Sequence, residues 1–125
     1  MRLEKRESPG RSPTTTAFTR EVIRIHQNVG LNDRLIARAT GAALNTVRDW
    51  LASRGQPSGV RAERIGELGE IVDRLGRVIE PEYIPLWLAK PVAALDDEKP
   101  IDVLRRGGCV RVARLVSSLE DSGAA

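Results

Sequence analysis

Residue types that carry covalent, acid–base or metal chemistry are few in this chain and far apart: one histidine, His26, one cysteine, Cys109, and an acidic run, Asp96-Asp97-Glu98. Catalysis by nucleophile and base needs two or three such groups converging in a cleft with tuned pKa values. His26 has no obvious cysteine, serine or carboxylate to work with. Cys109 follows Gly107-Gly108 and could gain thiolate character at a helix N-terminus, but without a partner base it reads as a packing cysteine. The acids at 96–98 lack the spacing of a metal cage, and no phosphate-cradling glycine loop follows a strand. The expectation is a non-enzyme with no cofactor and no metal. Binding chemistry remains. Trp87 is the residue type that anchors interfaces, unless it holds its own short helices together as core. Arg105, Arg106, Arg111 and Arg114 suit an acidic partner, or form a solvated basic face.

Length and charge narrow the partners. A chain of 125 residues makes one compact unit, or two helical subdomains sharing a core. Aromatics make up only 3%, so Leu, Ile, Val and Ala must fill the interior. The net charge of +3 conceals an asymmetry. Residues 1–64 carry 12 Lys/Arg against 6 Asp/Glu, whereas residues 65–125 carry 8 against 11. A basic front half suits a polyanion, because each neutralised phosphate releases counterions. No apolar run approaches the ~18 residues of a spanning helix, so no membrane association is expected. The opening MRLEKRESPGRSPTTT has charges without an apolar stretch and does not read as a secretory signal. One cysteine precludes an internal disulfide and fits a reducing compartment, which makes the cytoplasm the expected location.

The elements that must position these residues are all helical. Residues 1–16 are polar and aperiodic, and read as a disordered basic arm. From Phe18 the pattern turns helical through Val22, Ile23 and Ile25, with Gly30 as a stop. Asn32 is placed to cap a second helix holding Leu35, Ile36 and Ala39, which Gly41 ends. A third runs through Leu44, Val47, Trp50 and Leu51 and stops in Gly55-Gln56-Pro57-Ser58-Gly59. A longer helix over about Val60 to Ile79 has an apolar seam at Ile65, Leu68, Val72, Leu75 and Ile79, suited to packing on another helix or another chain. Beyond it, Pro81, Pro91 and Pro100 punctuate short helices with Ile84, Trp87, Leu88, Ile101, Val103 and Leu104. Gly107-Gly108 precede a last helix with Val112, Leu115, Val116 and Leu119.

Within 33–51, Ala37 is a small residue where two helices would cross, Gly41 suits a turn with positive φ, and Ile36, Val47 and Trp50 fall inward. This combination resembles the helix-turn-helix of Xre-like repressors. The resemblance implies that the second helix of the pair enters the major groove and presents Leu44, Asn45, Arg48 and Asp49 to bases. Asn pairs bidentately with adenine and Arg with guanine, and Leu44 could meet a thymine methyl. Thr46, Arg34, Arg38 and Arg54 would hold phosphates and set the register. Two features depart from the pattern: Ala43 stands where a Ser or Thr cap is usual, and Asp49 places a negative charge on the DNA side.

The back half carries a second resemblance. Trp87-Leu88, Pro91, Leu95, Pro100, Leu104, Gly107, Val112 and Leu115 follow in an order similar to the toxin-binding domain of the MbcA/ParS/Xre antitoxins. With the helix-turn-helix, the likeness spans roughly residues 18–122. It implies a RES-domain toxin as protein partner, an enzyme that degrades NAD+, whose substrate cleft the antitoxin's C-terminal end covers. It also implies that the complex binds operator DNA and represses its own operon. Candidate toxin contacts are Trp87, Arg105, Arg111, Arg114 and the tail Leu119, Glu120, Asp121, Ser122, Gly123, Ala124 and Ala125, whose carboxylates could occupy a site shaped for phosphates.

The expected architecture is therefore all-α: an arm at 1–16, a helix-turn-helix region at 17–59, a linking or dimerisation helix at 60–80, and a toxin-binding domain with its tail at 81–125. A homodimer or a larger assembly with the toxin is expected. The alternative is a stand-alone helix-turn-helix transcriptional regulator whose back half dimerises; an adjacent toxin gene and co-purification would separate the two.

Overall fold

Proline and glycine set the boundaries of nearly every element. A computed structural model of the chain describes residues 13–122, with side chains from residue 17 onward. Seven α-helices follow one another: α1 Pro13–Arg24, α2 Asp33–Thr40, α3 Leu44–Leu51, α4 Gly59–Leu75, α5 Ile84–Ala89, α6 Pro100–Arg105 and α7 Cys109–Asp121. Among the described residues there is no strand, only an isolated antiparallel bridge between Val92 and Glu98. The fold is all-α.

The first helix begins earlier than expected. It opens at Pro13, so four residues assigned to a polar arm are helical, because the fixed φ of proline suits a first helical turn. Residues 1–12 of that arm lie outside the described residues. A wider, π-type turn at Ile25–Val29 closes the helix, and Gly30 stops it at φ 87°. The Asn32 side chain then accepts the Leu35 N–H at 2.9 Å, satisfying one orphan donor of α2. Gly41, at φ 76°, ends α2 as its sequence position suggests. The buried Thr40 hydroxyl donates to the Ile36 carbonyl at 2.8 Å and accepts the Ala42 N–H at 3.2 Å, so the turn leaves these groups paired.

The seam on the long helix is filled by this chain itself. Ile65, Leu68, Ile71 and Leu75 are completely buried, and α4 packs against α1, α2, α6 and α7. Burying each such side chain stabilises by ~1.5–3 kcal/mol, which makes α4 the central strut of one continuous core. Its seam is therefore no free dimerisation surface. The helix ends at Leu75 rather than Ile79, because Gly76 is a poor helix former and the N–H groups of Val78 and Ile79 both return to the Leu75 carbonyl.

Front and back halves share that core. Ile36 and Ala39 of α2 belong to the same apolar cluster as Ile101 and Leu104 of α6, and α2 packs directly along α6. Proline opens α6 and the turn before α5, and Pro85 sits in the first turn of α5. Between α6 and α7 the chain reverses at Gly107, φ 87°, and Gly108. A Cβ on Gly108 would lie 2.5 Å from Val103 Cγ1 and 2.9 Å from the Val103 carbonyl oxygen, so only glycine fits. No helix among the described residues is long and apolar enough to cross a membrane.

Candidate interaction surfaces

The front surface is built by α2 and α3. Val47 and Trp50 anchor α3 in the core, leaving Asn45 and Arg48 exposed and Leu44, Thr46 and Asp49 half-buried. Ala43 caps α3 with no side-chain hydrogen bond, as its type dictates. The charges on this face are largely paired with one another. Arg48 Nε donates to Asp33 Oδ2 at 2.9 Å, and Arg54 Nη2 to Asp49 Oδ1 at 3.1 Å. The Arg48 hydrogen bond holds the Asp33 carboxyl below the usual carboxylate range, against a smaller opposing desolvation. Arg34 is exposed and makes no ion pair with a described residue. Exposed pairs of this kind contribute ~0–1 kcal/mol each, so a phosphate could displace them.

Arg38 is engaged elsewhere. Its guanidinium holds Asp102 of α6 in a bidentate pair, with Nη2 at 2.6 and 2.8 Å from the two carboxylate oxygens. The cation expected to hold a phosphate ties the helix pair to the back half in this structure. Asp102 escaped the sequence reading because 64 residues separate the partners and no local pattern links them.

On the back surface, Trp87 is half-buried against the core, in keeping with a packing role. The exposed apolar side chains there include Tyr83 (53%) and Leu86 (60%), three residues apart. Sequence reasoning missed both. The available signal was the inward pair Ile84 and Leu88 on a six-residue helix, which leaves position 86 facing away. Arg111 reaches Asp96 at 3.4 Å and Glu98 at 3.8 Å. Arg114 is exposed without an ion pair among the described residues, and with Arg111 it borders a shallow groove of about 310 Å³ floored by Leu95 and Leu115. Arg105 stands apart from this group. It is exposed beside the helix-turn-helix, its Nε 3.6 Å from where a Cβ on Gly41 would sit.

The tail is helical through Asp121. Leu119 is half-buried, and Glu120 is held by Arg74 at 3.0 Å and Arg77 at 3.9 Å, so its carboxylate already has cationic partners within the chain. Asp121 and Ser122 are exposed, while Gly123, Ala124 and Ala125 lie outside the described residues.

The lone histidine and the lone cysteine sit on different elements, at Ile25–Val29 and on α7. His26 Nδ1 donates to the Leu31 carbonyl at 2.8 Å. Burial pushes the Cys109 thiol up, and the charges of Glu67 and Glu70 push it further. No group of three metal-ligating side chains occurs among the described residues.

No family model matches the chain. It is 25% identical over 95 residues to the mycobacterial cidal antitoxin MbcA of Mycobacterium bovis, covering 76% of this chain and 84% of that protein. MbcA proteins of two Mycobacterium tuberculosis strains match to the same extent. The fold matches a chain in the crystal structure of the M. tuberculosis MbcT–MbcA toxin–antitoxin complex with a TM-score of 0.73 at 24% identity, covering 83% of this chain and 94% of that one. The chain is thus homologous to the antitoxin MbcA over 76% of its length, and its fold matches a chain of the MbcT–MbcA complex.

Proposed function

We propose that this chain is a cytoplasmic antitoxin without catalytic activity of its own. It binds and neutralises a RES-domain, NAD+-degrading toxin by covering the toxin's active site, and it represses its own operon through the helix-turn-helix. The observation that carries the reading is the homology to MbcA over 76% of the chain, together with the fold shared with a chain of the MbcT–MbcA complex. The proline-punctuated order of the back half supports the toxin class. The exposed Tyr83 and Leu86 supply the rigid apolar contact that an obligate partner would cover. The αL turn at Gly41 and the outward Asn45 and Arg48 support operator binding. Self-association, where it occurs, would use a surface other than the buried seam of α4.

Co-expression with the product of the adjacent gene tests the antitoxin role. Growth is expected to be rescued and the two proteins to co-purify. A neighbour that kills equally with and without this chain, and does not bind it, would overturn the reading. Operator binding is tested separately by gel shift with the upstream duplex at fixed salt, with and without toxin; no shift in either condition would remove the DNA-binding part.

A further inference from the structure

The toxin-binding half contributes a cation to the helix-turn-helix surface. Residues 102 and 105 of α6 lie one turn apart and both face the end of α2. Asp102 binds Arg38, the cation that the helix pair would itself offer to a phosphate at this end. Arg105 rests against the Gly41 turn, which leads directly into the first residues of α3. Its position is set by two anchors: the Arg38–Asp102 pair, and a hydrogen bond of 3.1 Å from Arg64 Nε to the Arg105 carbonyl. The Arg105 side chain is exposed and makes no ion pair among the described residues, whereas Arg106 beside it is taken by Glu98. An apolar-edged groove of about 240 Å³, lined by Ala37, Arg38, Gly41, Ala42 and Arg105, separates the turn from α6.

A free guanidinium pre-positioned next to the turn of a DNA-binding helix pair matches a phosphate, which it can hold bidentately. We infer that Arg105 contacts the DNA backbone beside the Gly41 turn, so that the DNA-facing surface spans α2, α3 and α6. This rests on the DNA-binding reading above and deepens it. It also moves Arg105 from the toxin surface, where its sequence neighbours suggest it belongs, to the operator surface.

The test uses the full chain, alone and in complex with its toxin, and the duplex upstream of its gene. Anisotropy titrations span roughly 50–200 mM salt. Arg105→Ala is expected to weaken binding several-fold and to lower the slope of log affinity against log salt by about 0.9, the loss of one phosphate contact. Arg105→Lys should keep most of that slope because it keeps the charge. In the chain without toxin, Arg114→Ala, an exposed arginine on α7 with no ion pair among the described residues, should leave the slope unchanged. Toxin co-purification should survive Arg105→Ala. Wild-type slope and affinity in Arg105→Ala would overturn this inference alone, as would loss of toxin binding with DNA binding intact. Failure of the wild type to bind the duplex in either form would overturn both this inference and the DNA-binding reading.

Discussion

Breaking the Arg38–Asp102 pair separates two roles that Arg38 could play. Its bidentate geometry, at 2.6 and 2.8 Å, favours a strong contact, but the side chains remain 51% and 30% exposed, so solvent screens it. Two unit charges ~4 Å apart interact by about 1 kcal/mol in water, and measured exposed pairs fall at ~0.2–1 kcal/mol. The two-point contact places this pair near the upper end. A double-mutant cycle of Arg38→Ala, Asp102→Ala and both together, followed by urea unfolding, should give a coupling of about 0.5–1 kcal/mol at low salt. The coupling should fade near 1 M salt, where the screening length is ~3 Å. DNA binding supplies the second readout, with opposite signs for the two variants. Asp102→Ala removes an anion and frees Arg38, and should raise duplex affinity about twofold, as expected for one charge ~10 Å from a phosphate in water. Arg38→Ala leaves Asp102 without its cation and should lower affinity by a similar factor of about two, well short of the loss of a direct phosphate contact. Zero coupling at low salt, or a large loss of affinity on Arg38→Ala alone, would refute the assignment of Arg38 as a tie between the halves.

Leu86→Asp should reduce toxin affinity at least tenfold, roughly 1.4 kcal/mol or more, with an unchanged melting temperature, because Leu86 is 60% exposed; titration calorimetry with purified toxin checks it. Gly108→Ala should destabilise by ~1–3 kcal/mol through the Val103 side chain and carbonyl, and Val103→Ala should rescue it only in part because the carbonyl remains; urea unfolding reads both. The lowered Asp33 carboxyl gives stability that is present above the ordinary carboxylate pKa of ~3.9 and lost as pH falls through its lower folded value. The melting-temperature advantage of wild type over Asp33→Asn should therefore shrink below about pH 4. Deleting residues 123–125 tests the tail as a plug without touching α7. Deleting 119–125 also removes Glu120 from Arg74 and should lower the melting temperature, so only the shorter deletion reads neutralisation cleanly.

Much of the fold is legible in the residues one after another. Asn32 caps α2, Gly30 and Gly41 stop helices, proline opens α6 and the turn before α5, and the three- and four-residue spacing from Ile65 to Leu75 marks the buried stripe of α4. Each of these is set by the backbone preferences of a few neighbouring residues, which do not depend on what the rest of the chain does. The partner of each exposed face does depend on it. The stripe on α4 is the same whether it meets a second chain or, as here, α1, α2, α6 and α7 of its own. Arg38 reads as a phosphate ligand until α6 brings Asp102 to it across 64 residues, and Glu120 reads as part of a free tail until α4 presents Arg74. Helix boundaries follow from local dihedral preferences, whereas the pairing of charges and apolar faces follows from which helices lie side by side, and that is decided only when the single core closes.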